Sequence, residues 1–157
     1  MKIRFSEFLL DVDIERTQAF YERDDVKTSS ESCPCYGCQN FDKAILQAPE
    51  GVIGFLRPLG IDPRKPAEVF DVMGEPDADG TIWYNGWYHI CGTISESPAE
   101  CIDRDYYKKY NYSPDPSFRF EILPIAGRDL VHKEFPTPVI QLEINTHLPY
   151  LLNERSS

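Results

Sequence analysis

No stretch of this chain approaches the roughly 20 apolar residues that a bilayer-spanning helix requires, so no membrane partner is expected. Positive charge is also scarce. The 16 Lys and Arg residues face 26 Asp and Glu, a formal net charge of −10, and that balance repels nucleic-acid phosphates and anionic lipid surfaces. It favours solubility, and it would also steer a protein partner with a basic surface toward encounter. The cysteines, at 33, 35, 38, 91 and 101, are odd in number. A domain stapled by disulfides would normally pair all of them, so reduced thiols and a cytoplasmic setting are expected. The opening MKIRFSEFLLDVDIE meets charge within a few positions and carries no small-residue cleavage site, in keeping with that compartment. Also missing are a His-Glu-x-x-His pair, a nucleophile elbow and a phosphate-binding glycine pattern; Gly51 and Gly54 merely flank a hydrophobic helix. No catalytic residue is therefore assigned, and a non-enzyme is the favoured expectation. No composition break, repeat or low-complexity tract divides residues 1–157, which read as one compact acidic domain.

What is present is periodicity of two kinds. Ile3 and Phe5 alternate with Arg4 and Ser6 as in a half-buried strand, until Phe8, Leu9 and Leu10 break the pattern. The stretch from Asp11 to Phe20 fits a helix or an irregular segment equally. Phe41, Ala44, Ile45 and Ala48 recur at helical spacing, as do Val52, Phe55, Leu56 and Leu59 after Pro49. Gly60 is placed to end the second helix in a left-handed conformation, with Pro58 near its fraying end. Asp62-Pro63 can open a further turn or helix, for which Ala67, Val69, Phe70 and Val72 supply apolar surface. Two aromatic and β-branched runs, Thr81 to Tyr84 and Trp87 to Cys91, flank Asn85-Gly86, which predicts a hairpin with a two-residue turn. Ser97-Pro98-Ala99-Glu100 reads as another helix start, which Ile102, Tyr106 and Tyr110 would continue. Phe118, Phe120 and Ile122, then Ile140, Leu142 and Ile144, alternate with polar residues as strands with one wet face. Residues 24–34 and 103–117 read as loop excursions. The sum is an α+β fold: a largely antiparallel sheet of about five strands, with two to four short helices packed against one side.

The residues with chemical potential are few. Cys33-Pro-Cys35-Tyr-Gly-Cys38 contains a Cys-x-x-Cys pair, whose spacing lets both thiolates reach one tetrahedral metal. Cys33 could be a third ligand, and His89 or Cys91 a fourth if their strand passes beside the loop. No cofactor is required by this reading unless the cluster takes up Zn. The same pair could act as a redox dithiol, although a helix starting near Cys38 would place only the second thiol at its N-terminus. Packed thiols under the following helix are the plain alternative, as is a His89 packed under Trp87 with one nitrogen on a backbone carbonyl. Trp83, Tyr84, Trp87 and Tyr88 cannot all face one side of a regular hairpin, so one pair is expected under the helices and the other under a loop or partner or exposed; packing of the whole set is the favoured reading, a groove or interface the alternative. Glu121, Gln141 and Glu143 could supply convergent polar groups if their sheet face borders a cleft.

Cys35-x-x-Cys38-x-Asn40-Phe41, Leu59-Gly60-Ile61-Asp62-Pro63 with Lys65-Pro66, Gly86-Trp87-Tyr88-His89 and Val139-Ile-Gln-Leu-Glu143 together resemble an uncharacterised group of small bacterial domains. That resemblance spans most of the chain and implies no activity and no catalytic residue. Cys33 and the segment from Ser97 to Pro116 look like additions to the shared pattern. Three functions are thus expected in order. The first is a non-enzymatic protein-binding or regulatory role, the second a zinc or thiol-redox protein built on Cys35 and Cys38, the third a small pocket enzyme or ligand binder.

Overall fold

A computed structural model describes residues 1–98 and 104–153. The alternation at the start of the chain becomes a tight hairpin. β1 (Lys2–Phe5) turns through Ser6, at φ 51°, into β2 (Phe8–Val12), so that Phe5 sits opposite Phe8 and Phe8, Leu10 and Val12 are buried. The break in the pattern is therefore a turn that resets the two-residue period. Asp13 caps α1 (Ile14–Tyr21) by accepting the Arg16 amide at 3.1 Å, which settles the ambiguous stretch as helix from Ile14 on, whereas Asp11 and Val12 end β2. Three more helices follow: α2 (Ser29–Ser32), α3 (Tyr36–Ile45) and α4 (Glu50–Leu56). α4 tightens into a 3-10 turn, Arg57–Leu59, which accommodates Pro58, and Gly60 ends it at φ 89° as the sequence requires.

Two expectations fail here. Of the turn or helix expected at Asp62-Pro63 the turn forms, with Asp62 Oδ1 accepting the Arg64 amide at 3.0 Å. The apolar residues that follow then form an edge strand, β3 (Glu68–Asp71), rather than a helix. More consequentially, Asn85-Gly86 is not a hairpin turn. β4 (Thr81–Glu96) runs straight through it for 16 residues. The cause is tertiary: β6 (Val139–Pro149) pairs with β4 without interruption from Thr81 to Cys91, and a turn at Asn85 would forfeit that ladder. Gly86 is needed instead because β3 crosses there. A Cβ on Gly86 would fall on the Glu68 carbonyl oxygen and 2.9 Å from Val69 Cα.

All pairings are antiparallel, in the order β1-β2-β4-β6-β5, where β5 is Phe120–Ile125. β3 and β2 lie end to end along one edge of β4, on Tyr84 to Trp87 and on Gly92 to Glu96. The fold is thus α+β, with six strands among the described residues where about five were expected. α5 (Arg104–Tyr110) follows β4 and docks Tyr106 edge-on against Phe8, at 6.5 Å between ring centroids. The expected helix start at Ser97 to Glu100, and Cys101 and Ile102, involve residues outside those described. Helices α2 and α5 fall inside the two stretches that read as excursions.

The alternation of β4 divides its side chains cleanly. Ile82, Tyr84, Tyr88 and Ile90 join Phe41, Ile45, Val52 and Leu56 in the core. Trp83, Asn85, Trp87 and His89 take the opposite face, beside His147, Asn145, Glu143 and Gln141 of β6. Within the described residues, no helix is long and apolar enough to cross a membrane.

Candidate metal centre

The Cys33 to Cys38 segment is the short link between two helices, and it is held from both sides. Cys33 closes α2, its amide donating to the Ser29 carbonyl at 2.9 Å, and Cys35 is the N-cap of α3. The Ser30 amide and hydroxyl both donate to the Asp42 carboxylate, clasping α2 to α3. Gln39 Nε2 donates to the Pro34 carbonyl at 2.7 Å, and the Tyr84 hydroxyl donates to the Gly37 carbonyl at 2.7 Å from the sheet below. A loop tied at so many points presents its side chains in one arrangement.

That arrangement brings three sulfurs together. The Sγ atoms of Cys33, Cys35 and Cys38 all lie within 4.8 Å of one another. Cys33 and Cys35 are exposed, whereas Cys38, in the first turn of α3, is buried. Three thiolates on a tetrahedral ion with metal–sulfur bonds of about 2.3 Å stand about 3.8 Å apart, so small side-chain rotations close the site. The Cys38 amide donates to Cys35 Sγ at 3.4 Å, so the sulfur itself caps α3. The Cys35 amide, then the Cys35 and Cys38 thiols, donate to the Cys33 sulfur and hold its pKa below the ordinary thiol value, against the opposing Glu68 charge. Burial, followed by the neighbouring sulfurs, pushes Cys38 up. The cluster can therefore ligate a metal ion through three sulfurs.

The two further ligands proposed from sequence do not join it. His89 Nε2 lies 3.3 Å from Gln141 Oε1, and its ring meets Phe135 at 5.8 Å between centroids. Its partner is thus a side-chain amide rather than a backbone carbonyl, and burial lowers its pKa. The Cys91 amide donates to Thr17 Oγ1 at 2.9 Å and its thiol is buried against α1. Helix α3 also begins earlier than its apolar spacing suggests, which places Cys35 at its N-cap and Cys38 in its first turn.

The interface and pocket candidates separate by strand face. Tyr84 and Tyr88 are core residues whose hydroxyls donate to the Gly37 and Pro63 carbonyls. Gln141 is buried and accepts the Asp129 amide at 3.0 Å. Trp83 stacks on His147 with its ring 7° from parallel, and donates through Nε1 to Asn145 Oδ1 at 2.7 Å. Trp87, Glu121 and Glu143 do meet, in a cleft of about 250 Å³ on the sheet face away from α3. Phe70, Asn111 and Asn145 complete it and were not found from sequence. Extending the β6 alternation past Glu143 would have reached Asn145, and reading Val69-Phe70 as a strand would have reached Phe70. The chain matches no family model, no curated protein and no solved structure.

Proposed function

We propose that this protein is a zinc-binding protein whose metal is held by Cys33, Cys35 and Cys38, with a fourth position left for water or an outside ligand. The supporting observation is the convergence of three thiols within 4.8 Å on a loop clamped between two helices. Thiolates select soft or borderline ions, and Zn²⁺ takes them in tetrahedral geometry without redox chemistry. Three thiolates on Zn²⁺ leave one net negative charge at the first turn of α3, where the helix dipole favours it.

Untagged protein purified under reducing conditions is expected to carry about one zinc per chain by elemental analysis. Cys35→Ser and Cys38→Ser should each reduce that to about a tenth or less. Cobalt reconstitution should give sulfur-to-metal charge transfer and tetrahedral visible bands. Metal-free protein that also fails to take up cobalt would sink the reading.

A second reading has one observation of its own. Cys35 sits at the N-cap of α3 with Cys38 behind it, a placement in which a thiolate can attack and the buried thiol can close a disulfide. Reversible formation of a Cys35–Cys38 disulfide by a small disulfide oxidant, in protein that takes up no metal, would favour it.

A further inference from the structure

The wet face of the sheet carries a site independent of the cysteines. Two cross-strand rows form its floor. Phe70, Asn85, Asn145 and Glu121 stand side by side across β3, β4, β6 and β5, and Trp87, Glu143 and Leu123 form the next row. Asn111 closes one side, and the cleft holds about 250 Å³. We propose that this cleft binds a primary ammonium group, carried by a small amine or by a lysine side chain, between the Glu121 and Glu143 carboxylates and beside the Phe70 and Trp87 rings.

Charge and donor accounting carry the assignment. Two carboxylates and no Lys, Arg or His line the cleft, so an anion is excluded electrostatically. The Asn111 amide donates through Nδ2 to Glu121 Oε2, and the Gln141 amide through Nε2 to Glu143 Oε1. Each carboxylate thus keeps one uncommitted oxygen, and Asn111 keeps its carbonyl. These three oxygens, with the Asn85 carbonyl in the floor beside them, are enough acceptors for the three donors of an ammonium group. An exposed Phe70 and the Trp87 indole, anchored by its Nε1 donating to the Asp129 carbonyl at 3.0 Å, add faces that attract a cation. The volume suits one such headgroup and its first methylenes rather than an oligosaccharide. Burial, only partly offset by the Gln141 amide and reinforced by the Asp129 charge, raises the Glu143 pKa, and a cation beside it would relieve that cost.

The test is a two-dimensional NMR titration of the intact protein with n-butylammonium, n-butanol, butyrate and methyl glucoside. Saturable shifts centred on the Trp87 indole are expected with n-butylammonium alone. Glu121→Gln and Glu143→Gln should each weaken binding about tenfold while the spectrum stays folded, as loss of a hydrogen bond to a charged group implies. Blocked lysine amide binding more tightly than n-butylammonium identifies a peptide side chain as the source, and the reverse order identifies a free amine; both support the site. The proposal is overturned by an absence of saturable shifts up to about 50 mM ammonium, where even millimolar affinity would register. It is also overturned if butanol or the glucoside binds as well, or if both carboxylate variants retain full affinity. Zinc content plays no part in any of these outcomes.

Discussion

Replacing Gly86 by alanine would put a methyl group onto the Glu68 carbonyl oxygen, and the atoms it meets are backbone that cannot rotate away. Overpacking of this kind costs about 1–3 kcal/mol, and here it also pries β3 from β4. Gly74 is the contrast: it stands at φ 75° with nothing within 4 Å of an added Cβ. Gly74→Ala should cost only the conformational term, about 1 kcal/mol. Urea unfolding of the two variants checks the difference. If Gly86→Ala proves the milder change, the close approach of β3 is wrong. Asn85-Gly86 has the composition of a turn, and nothing local distinguishes that use from close packing, so this glycine's role was invisible in the sequence.

Helix α3 connects the core to the cysteine loop, and two hydroxyl and amide groups govern how. Asn40, fully buried, donates to the Tyr84 hydroxyl at 3.2 Å and to the Pro149 carbonyl at 3.1 Å, and accepts the Leu151 amide at 2.7 Å. Tyr84 in turn reaches Gly37, between Cys35 and Cys38, and packs on Phe41 at 5.3 Å between centroids. Tyr84→Phe keeps the ring, removes the second hydrogen bond to the Gly37 carbonyl and leaves one Asn40 donor unpaired, a loss of about 1–3 kcal/mol in unfolding free energy. It should also weaken zinc binding, by about tenfold, because the group that holds the loop from below is gone. Competition with a chromophoric chelator reads the affinity. Stability lost with affinity unchanged would separate α3 packing from the metal loop. The helical spacing of Phe41, Ala44 and Ile45 announced this helix, but Asn40 and Tyr84 carry no periodic signal that they meet.

For the molecule as a whole, His89 couples folding to pH. Burial lowers its pKa in the folded state, although the Gln141 amide and the Asp129 charge act in the opposite direction. The unfolded chain therefore binds a proton near pH 6.5 that the folded chain refuses, and stability is lost as pH falls from about 6.5 toward the lowered value. His89→Gln should remove the fall of the thermal midpoint between about pH 6.5 and 5, leaving the opposite trend of Glu143, whose pKa burial raises. A wild-type midpoint that does not fall across this window would remove His89 as its cause.

Composition, charge and alternation sufficed for the α+β class, the wet-faced strands at both ends of the chain, the left-handed Gly60 and the three clustered cysteines as candidate metal ligands. Those features depend on near neighbours in the chain: a period of two or 3.6, a forced backbone angle, a spacing of two or three residues between thiols. The straight course of β4, the strand identity of Val69 and Phe70, the exclusion of His89 and Cys91 from the cluster, and the meeting of Trp87, Glu121 and Glu143 depend on partners 15 or more residues away. Pairing energy along an 11-residue ladder outweighs the local turn preference of Asn-Gly, and only the assembled sheet contains that ladder.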